Sequence, residues 1–136
     1  MKLNIYTDGG ARGNPGPAGV GVVIKNEVEE TIISFGEYIG EQTNNFAEYS
    51  ALIAGLKKAV ELNADEVVCH LDSELVTKQM RQEYKVREIT LQKLFVQAYN
   101  LTQKLKKVSF VHIYREKNQE ADKLVNKAID SVLSSL

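Results

Sequence analysis

Hydrophobic and polar residues alternate from Leu3 to Asp8, and this two-residue period is typical of a β-strand. Together with the apolar segments AGVGVVIK and ETIISFGEYIG, it predicts three strands, at residues 3–8, 18–25 and 30–40. Asp8 is the last residue of the first predicted strand. Residues 26–30 form a polar connection of hairpin length, so we expect the second and third strands to be antiparallel neighbours.

From Thr43 the hydrophobic residues recur every three or four positions, which predicts an amphipathic helix to about Asn63 with Thr43 or Asn44 as its N-cap. The remaining predicted elements are a strand over residues 65–72 that closes on Asp72, helices over 73–80 and 91–105, a strand over 108–114, and a last helix from near Asn118 to Leu133. This order of elements predicts an α/β fold with a mixed sheet whose antiparallel part comes first.

The composition limits the class of protein. The 136 residues fit a single domain spanning 1–136, and 17 basic against 18 acidic residues give a net charge of −1. A nucleic-acid partner would therefore have to be held by a local patch. The single cysteine, Cys69, excludes an internal disulfide, and no apolar run approaches the roughly 20 residues that span a bilayer. We expect a cytoplasmic protein without a membrane segment.

Four acidic residues stand at predicted strand ends and helix starts, which often converge at one rim of an α/β sheet. They are Asp8, Glu48, Asp72 and Asp122. Carboxylates at one point repel each other unless a cation neutralises them, and hard divalent ions such as Mg²⁺ or Mn²⁺ prefer oxygen ligands. Two such ions about 4 Å apart stabilise the attacking and leaving oxygens of a phosphoryl displacement. The pattern therefore predicts phosphodiester hydrolysis.

Each acid alone also has a structural interpretation. Asp8 before two glycines is typical of a turn, and Glu48 near a helix start complements the helix dipole. Asp72 could cap the helix that follows it, and Asp122 could be a solvated acid of a first turn. Only the four together favour the catalytic interpretation.

Four segments, in order and at compatible spacing over nearly the whole chain, resemble the signature segments of the ribonuclease HI family. They are YTDGGARGNPGPAG (6–19), TNNFAEY (43–49), LDSELV (71–76) and NQEAD (118–122). The resemblance implies a five-stranded mixed sheet, its first three strands antiparallel, flanked by helices. It further implies a monomeric endonuclease that cleaves the RNA strand of RNA/DNA hybrids with two Mg²⁺ ions, Mn²⁺ being a substitute, and leaves 5′-phosphate and 3′-hydroxyl ends.

The resemblance also assigns individual residues. It carries the metal-binding carboxylates onto Asp8, Glu48, Asp72 and Asp122, and gives Glu48 a second contact, to a ribose 2′-hydroxyl. Contacts to the hybrid's minor groove fall on Asn14, Asn44 and Asn45, and a phosphate contact falls on Thr43. The last three of these residues could equally be ordinary capping residues. His70, His112 and Cys69 are expected to be structural.

The chain departs from the best-known family pattern at two places. Many members carry a histidine in the loop before the last helix, whereas this chain has Arg115 and Glu116 there, as a subset of the family does, and either residue could take the histidine's role. It also has no tryptophan, and too few residues after Asp72 for the family's basic protrusion. A nuclease of the same fold acting on junctions or double-stranded RNA, and a non-catalytic nucleic-acid-binding module, remain alternatives.

The glycine-rich segment after Asp8 carries two further expectations. Pro15 followed by Gly16 predicts a type II turn with Gly16 at positive φ, which would direct Asn14 toward the substrate. Gly9 and Gly10 are expected to leave the backbone beside Asp8 open to metal ions and a phosphate. The first predicted strand begins within a few residues of Met1, so no separate hybrid-binding domain is expected.

Overall fold

The structure is a computed structural model, and it describes residues 1–135. Its strands are β1 (Lys2–Ala11), β2 (Gly16–Lys25), β3 (Thr31–Gln42), β4 (Glu66–Leu71) and β5 (Lys107–His112). Its helices are α1 (Asn44–Glu61), α2 (Glu74–Met80), α3 (Ile89–Thr102) and α4 (Gln119–Leu133), with a short 3₁₀ turn at Arg115–Lys117. In this part of the chain, no helix is both long and apolar enough to cross a membrane.

The strands form one mixed sheet in the order β3-β2-β1-β4-β5. The first three strands pair antiparallel, and β4 and β5 extend the sheet in parallel. Helix α1 packs on one face, where Leu3 and Ile5 are fully buried, and α4 packs on the opposite face of β1, β2 and β3. This arrangement confirms the fold predicted from the sequence.

The first strand is longer than the sequence predicts. β1 continues past Asp8 to Ala11, because Gly9, Gly10 and Ala11 still pair with β2. On its other side, β1 pairs with β4 only as far as Thr7 and Leu71. Asp8 therefore lies where two neighbouring strands separate rather than at a strand end.

The segment between β1 and β2 also differs from the predicted turn. Positive φ falls on Gly13, at 91°, and not on Gly16. Arg12 donates its backbone N–H to the carbonyl of Pro17 over 2.8 Å, so the chain closes a tight connection. Gly16 is required for space, because a Cβ there would lie 2.0 Å from the Arg12 carbonyl oxygen.

The other element boundaries follow the predicted ones closely, with one shift. Helix α3 begins and ends earlier than the hydrophobic stripe predicts, so Leu105 lies beyond the helix although its side chain is buried.

The connection from Asn26 to Glu30 is a hairpin loop, organised by the Asn26 side-chain oxygen, which accepts the N–H groups of Val28 and Glu30.

Candidate active site

Three carboxylates from three elements meet at one end of the sheet. Asp8 of β1, Glu48 of α1 and Asp72, which follows β4, each present an oxygen, and these oxygens lie within 4.8 Å of one another. Asp8 and Glu48 are only 7% and 8% exposed. Such a group of acidic oxygens is the donor set that hard divalent cations prefer.

Strand pairing and one close backbone approach bring these side chains together. The parallel pair of Thr7 with Leu71 places Asp8 and Asp72 side by side, since each is the next residue along its chain. Glu48 comes from a helix pressed against β1, and its Oε1 accepts the N–H of Gly9 over 3.4 Å.

The close approach depends on Gly9, which corrects its sequence interpretation. A Cβ on Gly9 would lie 2.0 Å from the carbonyl oxygen of Ala47, so α1 already occupies the space that we expected to be open. At Gly10 an added Cβ would meet only Val125 Cγ1, at 3.8 Å. Gly9 thus allows α1 to deliver Glu48, and the backbone of Gly9 and Gly10 still lines the cleft.

Asp122 joins the other three from the opposite face of the sheet. It lies in the first turn of α4 and lines the same cleft, of about 420 Å³, as Asp8, Glu48 and Asp72. Its oxygens are not among the three that lie within 4.8 Å of one another, yet its charge contributes to the raised pKa of Asp8. The structure thus brings all four sequence-predicted acids into one cleft.

The clustering changes how these acids bind protons. Burial, followed by the charge of Asp72 and then that of Asp122, raises the pKa of Asp8 to about 7. The pKa of Glu48 is raised well above its ordinary value, chiefly by burial and then by the charges of Asp8 and Asp72. The cluster therefore needs either protons or a cation.

One buried oxygen of the cluster lacks a partner within the described part of the chain. Oε2 of Glu48 is buried and has no hydrogen-bond partner within residues 1–135. An unpaired buried carboxylate oxygen is costly, and a divalent ion would supply the missing partner. The acids present thus match the Mg²⁺ or Mn²⁺ expected from the sequence.

The two residues that stand in place of the loop histidine share one adjoining groove, but only Arg115 also lines the carboxylate cleft. Arg115 is exposed at the rim of the carboxylate cleft, and no acidic side chain of residues 1–135 forms an ion pair with it. Glu116 is exposed too, but it lines an adjoining groove together with Gln119 and Lys123 instead of the cleft itself.

Three of the residues expected to contact substrate, Thr43, Asn44 and Asn14, accept backbone N–H groups with their side-chain oxygens. Thr43 Oγ1 accepts the N–H of Phe46 over 3.2 Å and caps α1. Asn44 Oδ1 accepts from the N–H of Ala11, and Asn14 Oδ1 accepts from the N–H of Asn44. The NH₂ groups of both asparagines donate to no group within residues 1–135, so they are available to acceptors outside the protein.

Asn45 differs from these neighbours. Its side chain is half-buried in the wall of the cleft and makes no hydrogen bond to any residue that the structure describes. Asn44 lines the same wall, whereas Thr43 and Asn14 lie outside it. Hydrogen-bonding capacity that the fold leaves unused points to a role in binding rather than in stability.

Sequence reasoning gave no role to two further polar residues near the cleft. Arg12 forms an ion pair with Asp130 at 2.5 Å and donates to Asn126 Oδ1 over 3.3 Å. Asn118 is buried and contacts Asp72 directly. The sequence signal for Asn118 is its place at the start of the NQEAD segment, which indicates a helix start but not a contact with Asp72.

The two histidines differ in their exposure and contacts. His70 stacks on Tyr6 with 4.3 Å between ring centroids, and its Nε2 lies 3.2 Å from Asn4 Oδ1, which confirms a structural role. The same structural role is predicted for His112, which is exposed rather than in the core, and its Nε2 lies 3.3 Å from the backbone oxygen of Asp72. Cys69 is fully buried, as predicted.

Comparison with known proteins places these features in context. A family model described as "Reverse transcriptase-like" matches residues 6–128. The chain is 43% identical over 136 residues to the "Bifunctional protein Rv2228c" of Mycobacterium tuberculosis, a match that covers 99% of this chain and 37% of that relative. The chain thus spans little more than a third of the length of that relative.

Two solved structures share the whole architecture. The crystal structure of RNase H1 from Halobacterium salinarum superposes with a TM-score of 0.94 at 37% identity, covering 96% of this chain and 99% of that one. LC11-RNase H1, solved in complex with an RNA/DNA hybrid, gives a TM-score of 0.92 at 49% identity, with 96% and 99% covered.

Proposed function

The chain belongs to the ribonuclease HI family, and from this premise we propose that it is an endonuclease that hydrolyses the RNA strand of RNA/DNA hybrids. The observation that carries the proposal is the convergence of Asp8, Glu48 and Asp72 around a buried, unpartnered oxygen of Glu48. Support for the hybrid as substrate comes from LC11-RNase H1, which was solved with one bound.

In this proposal Asp8, Glu48, Asp72 and Asp122 together hold two Mg²⁺ ions, for which Mn²⁺ can substitute. The ions would activate a water molecule and neutralise charge on the leaving oxygen, which yields a 5′-phosphate and a 3′-hydroxyl. Asp8 is close enough to the other acids that the charges of both Asp72 and Asp122 raise its pKa. Burial of Asp8 and Glu48 keeps these oxygens fixed before the cations arrive.

Selection of RNA over DNA would depend on contacts to the ribose 2′-hydroxyl, which DNA lacks. Glu48 is proposed to accept a hydrogen bond from this hydroxyl. The bases present acceptor atoms in the minor groove, which suit the unused NH₂ donors of Asn14 and Asn44 and the free amide of Asn45. Thr43 is proposed to contact a phosphate.

The role of the missing loop histidine is proposed for Arg115. Its guanidinium stands at the rim of the cleft and carries a permanent positive charge, which suits contact with a phosphate or a departing oxygen. Glu116, on the adjoining groove, is the weaker candidate of the two. We further propose that the protein acts as a monomer in the cytoplasm.

The test of this function is cleavage of an RNA/DNA hybrid labelled along its RNA strand, with Mg²⁺ and separately with Mn²⁺. Double-stranded RNA, double-stranded DNA and a branched junction serve as parallel substrates. We expect metal-dependent cleavage of the hybrid's RNA, with 5′-phosphate ends. Preferred cleavage of the junction or of double-stranded RNA would favour a different nuclease of this fold, and metal-independent binding without cleavage would favour a binding module.

Asn45→Ala tests the proposed minor-groove contact with little disturbance of the fold. The side chain makes no hydrogen bond to the described part of the protein, so we expect the melting temperature to remain within about 2 °C of the parent. Loss of one substrate hydrogen bond should raise KM for the hybrid by roughly tenfold and change kcat little. Steady-state kinetics would measure both constants, and an unchanged KM would remove Asn45 from the substrate contacts.

A further inference from the structure

Asn118 is a buried polar residue that links the elements of the carboxylate cleft. It is only 2% exposed and directly precedes α4. Its Nδ2 donates to the backbone oxygen of Thr7 over 2.9 Å and to Oδ2 of Asp72 over 3.1 Å. One side chain therefore contacts the end of β4 and the residue that precedes Asp8.

The ordinary role of an asparagine at this position does not account for these contacts. An asparagine before a helix usually accepts an N–H of the first turn with its side-chain oxygen. Asn118 occupies the N-cap position, yet its side chain makes no such bond. Its Oδ1 is buried and has no partner within residues 1–135. The side chain therefore hydrogen-bonds to Thr7 and Asp72 and leaves the first turn of α4 without a side-chain cap.

The hydrogen bonds determine the orientation of the amide. Both partners of Nδ2 are oxygens that only accept, and the NH₂ group supplies two hydrogens, one for each. Rotating the amide by half a turn would place Oδ1 against two acceptors, so the donating orientation is strongly preferred. A lysine or arginine could also donate there, but its positive charge would compete with a cation for the carboxylates.

The backbone of Asn118 makes a further connection. Its carbonyl oxygen accepts the N–H of Asp122 over 3.1 Å, in the first turn of α4. The same residue thus contacts Asp72 through its side chain and Asp122 through its backbone, and it bonds to the neighbour of Asp8. These three acids come from segments that are distant in sequence.

We propose that Asn118 is a positioning residue of the metal site, which fixes the Asp72 carboxylate and sets the start of α4 against β1. The inference rests on the proposed function, because it takes the acidic cluster to be a metal site. Asn118 donates to Oδ2 of Asp72, and the Asp72 carboxylate is part of the cluster that lines the cleft. Partners that orient metal ligands in this way typically change metal affinity by about 10- to 100-fold when they are removed.

The test compares Asn118→Ala and Asn118→Ser with the parent chain. Serine can still cap α4, but its single hydroxyl hydrogen cannot serve both Thr7 and Asp72. Asn26→Ala is the matched control, because it also removes an asparagine side chain that makes two hydrogen bonds, here as acceptor of the N–H groups of Val28 and Glu30, far from the cleft. Titration calorimetry with Mg²⁺ and with Mn²⁺ measures binding without substrate, and the Mg²⁺ dependence of hybrid cleavage gives a second value.

We expect both Asn118 variants to bind either metal at least tenfold more weakly than the parent, while Asn26→Ala loses stability but keeps the parent affinity. Excess Mg²⁺ should restore part of the lost cleavage rate in Asn118→Ser. If the parent binds metal and a folded Asn118 variant binds it equally well, the positioning role is wrong although the proposed function stands. If the parent binds no metal at all, the proposed function fails and this inference fails with it.

Discussion

Asp8→Asn should reduce cleavage of the RNA/DNA hybrid by about 10³-fold or more, equivalent to about 4 kcal/mol of lost transition-state stabilisation. Asp8 lies among the other acids of the cleft, and asparagine has the same shape but no negative charge. The change therefore removes the central charge of the proposed metal site while it preserves packing. Measured kcat/KM at saturating Mg²⁺ tests this expectation, with circular dichroism to verify the fold.

An activity within tenfold of the parent would contradict the assignment of Asp8 as a metal ligand. Asp130→Asn is the matched control, since Asp130 is an exposed acid that pairs with Arg12 outside the cluster. It makes the same chemical change and should retain most of the activity.

Asp8→Asn should also be more stable than the parent protein in the absence of metal. The pKa of Asp8 is about 7 in the folded protein against an ordinary 3.8, so the folded state holds a proton that the unfolded state releases. Protonated Asp8 contributes its full stabilisation to the folded state below about pH 4, and this contribution is lost as the pH rises through about 7. At about pH 8 we expect the free energy of unfolding of Asp8→Asn to exceed that of the parent by on the order of 3 kcal/mol.

Thermal unfolding in a chelating buffer between about pH 4 and pH 8 measures this difference. The advantage of the variant should grow with pH, because Glu48, Asp72 and Asp122 remain and only the Asp8 charge is gone. Added Mg²⁺ should stabilise the parent more than the variant. A difference that stays constant with pH would show that repulsion at Asp8 does not limit the stability of the metal-free protein.

Gly9→Ala is the second change with a large expected effect, and it acts through the fold. The new Cβ would lie 2.0 Å from the backbone oxygen of Ala47, and neither backbone can move without separating α1 from β1. We expect a loss of about 3 kcal/mol or more of stability. The N–H of Gly9 also donates to Glu48, so the same displacement should reduce hybrid cleavage in the protein that remains folded.

Gly10→Ala is the control, one residue along the same strand. Its Cβ would meet Val125 at an ordinary contact distance of 3.8 Å, so its stability should stay within about 0.5 kcal/mol of the parent. Urea unfolding of the three proteins measures both differences. Equal stability of the two variants would mean that α1 does not pack against Gly9 as closely as the structure shows.

Local patterns were sufficient to predict most elements and the acids that line the cleft. Burial of Leu3, Ile5 and Thr7 on one face follows from the two-residue period of a strand, and Thr43 was a predicted helix cap that the structure confirms. The acids that gather in the cleft were identified because residue type and motif spacing are both visible in one dimension. The prediction that they converge rested on the tendency of strand ends and helix starts to share one edge of the sheet.

What the sequence by itself determined was therefore the α/β class, the order of its elements and the four acids. Only the tertiary structure decided that β1 continues past Asp8, that Gly9 makes room for α1, and that Asn118 bonds to Thr7 and Asp72. The physical reason is sequence separation: Glu48 meets Gly9 from 39 residues away, and Asn118 meets Thr7 from 111 residues away. Periodicity reports the face on which a side chain lies, but the packing of distant segments determines which atom it meets there.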